Sequence, residues 1–206
     1  MNNLKRGDEM ILIIDNKDSF TYNIVDYIKQ SYTKQVKVID IDEVSVERIY
    51  EIEPHAIVIS PGPGTPKDYP ILNQVIKNFA QHVPFLGICL GFQQIVDYFG
   101  GDIIKNDKPI HGHTTKIKHD GTGIYQGLPA TFHVMRYHSL KANQANFPES
   151  LKITAINDEG IIMGIAHKHL PIYGVQYHPE SILSEYGIEQ IQSFINIMEV
   201  YHANTL

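Results

Sequence analysis

The sequence predicts an α/β protein whose open, mostly parallel sheet carries helices on both faces and a small antiparallel β extension. Two observations predict this class. Through residue 99, short apolar runs typical of strands buried on both faces alternate with segments of helical periodicity. After Gly100 and Gly101, short β-type runs separated by turn residues replace this alternation. Strand–helix alternation with short loops is typical of right-handed βαβ units around a parallel sheet.

Each element follows from its local pattern. Apolar runs predict strands over 10–14, 36–39, 56–59 and 85–88, and helical spacing predicts helices over 22–32, 46–52, 69–81 and 93–99. Later runs predict antiparallel hairpins at 114–118, 131–135, 151–156 and 161–165, followed by a buried strand at 172–176. A last helix carries an apolar stripe that we expect to face the core, formed by Ile188, Ile191, Ile195 and Met198. Residues 1–9 are polar and unpatterned, which predicts a flexible lead-in before a single domain over 10–206.

Composition excludes several classes of protein. The 206 residues include 17 Lys and Arg against 23 Asp and Glu, and this net charge of −6 argues against a nucleic-acid binder held by phosphate contacts. No apolar run approaches the ~20 residues of a membrane-spanning helix, and the first residues lack the apolar stretch of a signal peptide. We therefore expect a cytoplasmic protein that binds neither nucleic acid nor a membrane. The single cysteine, Cys89, excludes an internal disulfide and a multi-thiolate metal cluster.

Cys89 lies at a predicted strand-to-helix turn. Residues 87–91 read Gly-Ile-Cys-Leu-Gly, which matches the Gly-x-nucleophile-x-Gly elbow with cysteine as the nucleophile. Such a turn leaves little room for side chains on its flanks, and it lifts the sulfur above the sheet edge, where the next helix N-terminus favours a thiolate. The Leu90 N–H then points to where an oxyanion would form. A lone cysteine is more often a small buried apolar residue, but the two glycines favour catalysis.

His178 and Glu180 are the candidate partners of Cys89. They follow the predicted strand 172–176, at the carboxyl end where ligands bind in open α/β sheets. Residues two apart in extended backbone project to the same side, so Glu180 can orient one nitrogen of His178 while the other faces Cys89. We interpret the three residues as a Cys–His–Glu triad. On its own, the His-Pro-Glu sequence is more typical of a turn with a carboxylate at a helix start.

A stiff loop follows the predicted strand 56–59. Residues 60–64 read Ser-Pro-Gly-Pro-Gly, and the Gly62 N–H can pair with that of Leu90 to form an oxyanion hole. A plain rigid turn is the simpler interpretation of this composition. A phosphate-binding loop is disfavoured, because neither the P-loop motif nor the dinucleotide-binding motif is present.

Two histidine pairs, His111/His113 and His167/His169, have a spacing that could bind a metal from one strand face. No thiolate joins them, and no carboxylate stands at a recognisable ligand spacing. We therefore interpret them as surface or packing residues, and we expect no metal and no cofactor in this chain.

Five segments together resemble the triad-type, class I glutamine amidotransferases. They are residues 14–23, 60–64, 87–91, 136–140 and 174–181. The resemblance extends from Met10 to about Met198, and within that group the chain is similar to the small glutaminase subunit (component II) of anthranilate synthase or aminodeoxychorismate synthase. It implies hydrolysis of L-glutamine, with ammonia passed to a large chorismate-binding synthase subunit.

The resemblance also implies roles for individual residues. Cys89, His178 and Glu180 would be catalytic, through a covalent γ-glutamyl thioester. The glutamine site would be lined by Gly62, Pro63, Gly64, Leu90, Gln93, Ser139 and Leu140. Gln93 lies one helical turn after Cys89, where its amide could reach the α-amino or carboxyl end of the substrate. The simpler interpretation of Gln93 is an ordinary exposed helix residue.

Two positions depart from the family pattern. Phe92 replaces the histidine that usually follows the elbow glycine, and His113 stands where relatives often have lysine. Neither belongs to the triad, and together they favour aminodeoxychorismate synthase over anthranilate synthase, although one subunit could serve both. Two other functions stay open: a stand-alone Cys hydrolase similar to γ-glutamyl hydrolases, and a binding or regulatory module in which Cys89 is inert.

Overall fold

The computed structural model describes residues 9–106 and 112–205, so most of the expected lead-in, residues 1–8, lies outside the described part, as does His111. Within that part the chain forms a nine-stranded sheet, a two-stranded sheet and five α-helices. The strands are β1 Met10–Asp15, β2 Gln35–Asp40, β3 Ala56–Ile59, β4 Phe85–Ile88, β5 Ile103–Lys105, β6 His113–His119, β7 Thr131–Arg136, β8 Leu140–Ala142, β9 Leu151–Asn157, β10 Ile162–His167 and β11 Ile172–Val175. The helices are α1 Thr21–Ser31, α2 Val46–Ile52, α3 Pro70–Phe79, α4 Leu90–Tyr98 and α5 Gly187–Thr205.

The centre of the large sheet is parallel. The strand order is β2-β1-β3-β4-β11-β10-β9-β6-β7. The first five strands in this order all pair in parallel. Helices connect the first four of them along the chain, as right-handed βαβ units require. The predicted α/β class is confirmed.

The later strands continue the large sheet edge to edge. β10 pairs antiparallel with β11, and β9, β6 and β7 then add antiparallel strands outward. These strands are the predicted antiparallel extension. The separate pair of β5 and β8 is not predicted by the pattern, because strands of three residues are too short to show a period.

The sheet separates two apolar cores. β1 shows the division, because Ile11 and Ile13 lie in the core covered by α1 and α5, whereas Leu12 and Ile14 lie in the core covered by α3 and α4. All four side chains are completely buried. A strand covered on both faces has no polar side, which explains its continuously apolar sequence.

The last helix, α5, corrects one expectation. Ile191, Ile195 and Met198 are buried as expected, but Ile188 is 37% exposed. The buried face of α5 is centred on Ile191 and Phe194, and this leaves Ile188 at its margin. α5 is the longest described helix, and neither it nor any other described helix is long and apolar enough to cross a membrane.

Candidate active site

The carboxyl ends of three neighbouring strands, β3, β4 and β11, lie at one edge of the sheet. The loop 60–64 follows β3, Cys89 follows β4, and residues 176–180 follow β11. Parallel pairing therefore brings together three segments that are far apart along the chain, and each of them carries candidate site residues.

Cys89 occupies a strained turn between β4 and α4. Its φ is +52°, a left-handed value that residues other than glycine rarely adopt. A Cβ at Gly87 would overlap the carbonyl of Gly91, and a Cβ at Gly91 would overlap that of Ile59. Packing thus requires both glycines, as expected for a nucleophile elbow. Helix α4 begins at Leu90, directly after the turn and earlier than the predicted residue 93.

The sulfur of Cys89 is more enclosed than the elbow motif predicts, because the residue is only 7% exposed. Its backbone N–H donates to the Val175 carbonyl at the end of β11, across 2.8 Å. Its Sγ lies 3.8 Å from Nε2 of Gln176, the residue that follows β11. The side chain therefore lies against the end of β11 at the N-terminus of α4, where a negative charge is favoured.

His178 and Glu180 form the predicted pair. Nδ1 of His178 lies 2.7 Å from Oε1 of Glu180, and both residues are 2% exposed. Burial by itself lowers the pKa of His178, but the neighbouring Cys89 sulfur and Glu180 carboxylate raise it, and the resulting pKa lies well above its ordinary value. Nε2 of His178 is buried without a hydrogen-bond partner of normal geometry among the described residues. This nitrogen is therefore available to exchange a proton with the sulfur or with a substrate.

Two aromatic rings that the sequence analysis does not select surround His178. The ring centroids of Phe20 and Tyr137 lie 5.4 Å and 5.3 Å from that of His178, and the two rings stack on each other at 5.5 Å. Tyr137 is 38% exposed, so it forms the solvent side of this cluster. Both residues lie within segments that carry the family resemblance, which is the one signal that could have indicated them.

The loop after β3 is held by Asn16, another residue that the sequence analysis misses. The backbone N–H of Asn16 donates to Oγ of Ser60 at 2.9 Å, and its side-chain Nδ2 donates to the Ser60 carbonyl at 2.8 Å. The Ser60 hydroxyl in turn donates to the Pro61 carbonyl at 2.7 Å. Because Asn16 and Ser60 are completely buried, these bonds fix the start of the loop.

Gly62 packs closely against Asn16 and the side chain of Leu90. A Cβ at Gly62 would lie 2.8 Å from Cδ2 of Leu90 and 2.5 Å from Cβ of Asn16. Only glycine therefore allows the loop to approach α4 this closely. Pro63 and Gly64 lie further out and are exposed, and Gly64 has a φ of +77°. The Pro63 carbonyl accepts a hydrogen bond from the Tyr69 hydroxyl at 2.8 Å, which steadies this end of the loop.

The remaining predicted residues lie in two different environments. Gln93 is buried, so it is not an ordinary exposed helix residue, and its Nε2 donates to Oε1 of Gln176 at 3.3 Å. Ser139 is exposed and Leu140 is half-buried at the start of β8. Tyr137 lies two residues before Ser139, and its ring packs against that of His178. The segment that contains Ser139 and Leu140 therefore borders the His178–Glu180 pair.

A model of the family described as glutamine amidotransferase class-I matches residues 12–198. The chain belongs to this family. The fold agrees, because a solved glutamine amidotransferase from Thermotoga maritima superposes with a TM-score of 0.78 at 16% identity, covering 93% of this chain and 98% of that one.

Relatives of this class I glutamine amidotransferase have longer or similar chains. It is 46% identical over 193 residues to the multifunctional tryptophan biosynthesis protein of Schizosaccharomyces pombe, covering 93% of this chain but 25% of that protein. It is 43% identical over 186 residues to the aminodeoxychorismate/anthranilate synthase component 2 of Bacillus subtilis, covering 90% of this chain and 95% of that protein. The chain thus spans a quarter of the first relative and nearly all of the second.

Arg136 and His138 form a buried polar pair near His178 in this amidotransferase. Nε of Arg136 donates to Nε2 of His138 at 3.1 Å, and Nδ1 of His138 lies 2.7 Å from the Leu140 carbonyl. Because guanidinium can only donate, Nε2 of His138 must accept and Nδ1 must carry the proton. Burial is the largest cause that lowers the pKa of His138, and the positive charges of Arg136 and His178 lower it as well. The Leu140 carbonyl and Glu159 act in the opposite direction, and the resulting pKa is about 4. His138 is therefore neutral at physiological pH.

The two departures from the family pattern differ in their exposure. Phe92 is completely buried in the core covered by α3 and α4. His113 is exposed at the start of β6. Only His113 is thus placed to contact another molecule.

The histidine pairs show no metal-binding arrangement in the part of the chain that the structure describes. Nδ1 of His167 accepts hydrogen bonds from the backbone N–H groups of His169 and Leu170, both at 3.0 Å, and so closes a turn. His111 lies outside the described residues. No group of three His, Cys, Asp or Glu side chains within 9–106 and 112–205 could hold a metal ion.

Proposed function

We propose that this chain is a glutaminase subunit that hydrolyses L-glutamine and passes the ammonia to a large chorismate-binding synthase subunit. The observation that carries this proposal is the contact of 2.7 Å between His178 and Glu180, with the ring beside the elbow cysteine Cys89. Membership of the glutamine amidotransferase family supports glutamine as the substrate. The name of the Bacillus subtilis relative, a synthase component 2, supports a partner subunit.

The first half of the reaction forms a thioester. His178 lies beside Cys89, and its pKa is raised well above the ordinary value. The ring takes up the thiol proton as Cys89 attacks the side-chain carboxamide carbon. The N–H groups of Gly62 and Leu90 stabilise the resulting oxyanion, and one such donor contributes ~3 kcal/mol. The intermediate then collapses, the C–N bond breaks, and His178 gives its proton to the departing ammonia. The product on the enzyme is a γ-glutamyl thioester.

The second half regenerates the enzyme. The neutral His178 takes a proton from water, and the resulting hydroxide attacks the thioester carbonyl. Collapse of this second intermediate breaks the C–S bond, releases glutamate and restores the thiolate beside the protonated ring. Throughout the cycle, Glu180 holds Nδ1 of His178 and stabilises its positive charge.

The partner follows from the chemistry of ammonia. In bulk water at neutral pH most ammonia is protonated and not nucleophilic, so a shielded path to the acceptor would deliver it in its reactive form. We infer chorismate as the acceptor from the names of the relatives, and aminodeoxychorismate synthase over anthranilate synthase from Phe92 and His113. Since Phe92 is buried, this preference depends on His113, and the position of the amino group in the product would decide it.

The test is Cys89→Ser in the complex with the large subunit. We expect glutamine-dependent synthesis to be lost, because the serine hydroxyl is a much weaker nucleophile here, while synthesis from added ammonium salts persists. The ammonium reaction is the control, since it needs the partner but not Cys89. Full glutamine use by the variant would contradict the proposal.

The role of the partner has a separate test. The isolated chain should hydrolyse glutamine slowly and the complex faster, because Cys89 and His178 are almost enclosed in the free chain and docking would order the site for substrate. Equal turnover with and without the partner would instead support a stand-alone hydrolase.

A further inference from the structure

Gln176 is a completely buried amide that the mechanism above does not use. It follows β11 directly, between Val175, whose carbonyl accepts the Cys89 N–H, and Tyr177. It also lies two residues before His178. The backbone on both sides of Gln176 is therefore held at the site.

The direction of its amide is set by a neighbour. Gln93 Nε2 donates to Gln176 Oε1 at 3.3 Å, so the oxygen of Gln176 is occupied as an acceptor. Its Nε2 then faces the Cys89 sulfur at 3.8 Å, within the distance of an N–H···S hydrogen bond. Gln93 thus donates to Gln176, and Gln176 donates to the sulfur of Cys89.

Because Gln176 is buried, its contact with the Cys89 sulfur affects the energy of the site. The Gln176 Nε2 has no other partner among the described residues, and a buried N–H without an acceptor is costly. A thiolate is a better acceptor than a thiol, because hydrogen bonds to charged groups are the stronger ones. The amide therefore stabilises the anionic sulfur more than the neutral one, without adding a charge to the site.

We propose that Gln176 is a catalytic residue that donates a hydrogen bond to the Cys89 sulfur and stabilises its anionic form. It would act twice in each cycle, before the thiolate attacks and again when the thioester collapses and the thiolate leaves. The proposal rests on the proposed function only in taking Cys89 as the nucleophile.

Two variants separate the donor from the shape of the side chain. Gln176→Met keeps a similar length and fills the same space with no N–H. Gln176→Glu keeps the oxygen that accepts from Gln93 and replaces the NH₂ that faces the sulfur with a second oxygen. The matched control is Gln94→Met. Gln94 is a glutamine of α4 that is as completely buried as Gln176, but its Nε2 donates to Oδ1 of Asn73 at 2.6 Å and not to the sulfur.

The measurement is the rate of Cys89 alkylation by iodoacetamide in the full chain as a function of pH. Cys89 is the one cysteine, so the label reports on it alone. We expect the midpoint pH of the rate to rise by ~1 unit in Gln176→Met and by more in Gln176→Glu, and to stay within ~0.2 units of wild type in Gln94→Met. Circular dichroism and melting curves check that each variant is folded.

An unchanged midpoint in a folded Gln176→Met or Gln176→Glu chain would overturn the proposal, as would an equal rise in Gln94→Met. If Gln176→Met fails to fold, Gln176→Glu decides the question, because it retains the bond from Gln93. The readout needs no glutamine, so glutamine turnover by the wild-type chain tests the proposed function separately.

Discussion

Glu180 Oε1 lies 2.7 Å from His178 Nδ1, and one proline separates the two residues along the chain. The pair is therefore assembled locally, by an extended His-Pro-Glu segment after β11. Its third member is not local, because Cys89 reaches the ring only through the parallel pairing of β4 with β11. The charge on the ring depends on both neighbours, since each raises the pKa of His178 against the effect of burial.

Glu180→Gln should lower glutamine hydrolysis by about 10²-fold or more, because the amide can still orient the ring but no longer stabilises its positive charge. Steady-state kinetics of the complex measures this as a fall in kcat. Glu185→Gln is the matched control, since Glu185 pairs with His133 at 3.4 Å on the surface. That variant should stay within about twofold of wild type. A fall in kcat of similar size in both variants would contradict a specific role for Glu180.

Gly91→Ala should destabilise the fold by ~3 kcal/mol or more. The new Cβ would overlap the Ile59 carbonyl and lie 2.9 Å from Ile59 Cβ, and neither a helix start nor a buried strand can move away easily. Gly127→Ala is the control, because Gly127 has a φ of +81° but nothing within 4 Å of an added Cβ. Its cost should be the backbone strain alone, about 1–2 kcal/mol. Urea unfolding of the three chains compares them, and equal losses would contradict the packing argument.

His138→Gln should flatten the dependence of stability on pH. The pKa of His138 is lowered by burial to about 4 in the folded chain, from 6.5. Between these values the unfolded chain binds the proton more readily, so the contribution of His138 is fully present above about pH 6.5 and is lost as the pH falls toward 4. From pH 7.5 to pH 5, wild type should lose roughly 2 kcal/mol more than the variant.

Urea unfolding at the two pH values measures this difference. His82→Gln is its control, because His82 is exposed and should leave the wild-type dependence in place. If His138→Gln lost as much stability as wild type between the same two values, His138 would not be held neutral by the fold.

The arrangement of strands and helices follows closely from sequence patterns. β1 and β3 are predicted by apolar runs, because strands buried on both faces leave no polar position. The predicted start of α4 is three residues too late, because the first helical residues, Leu90 and Gly91, also belong to the elbow motif. The strands β5 and β8 are too short to leave a pattern. The exposure of Ile188 depends on how α5 lies against the sheet, which its own sequence does not specify.

The candidate site divides in the same way. Local motifs indicate Cys89, His178 and Glu180, because a tight turn needs glycines and an extended dipeptide step aligns two side chains. Asn16 and Gln176 leave no such signal, since each acts through a contact with a segment distant along the chain. The same holds for Phe20, which meets His178 only in the folded protein.

The amino-acid sequence alone determined the class of fold, the elbow around Cys89 and the His–Glu pair, because periodicity and turn chemistry act over a few neighbouring residues. The tertiary structure decided how enclosed the sulfur is, which amide faces it, and that the pKa of His138 is lowered while that of His178 is raised. Those properties depend on burial and on charges contributed by separate strands and loops, and no local pattern specifies them.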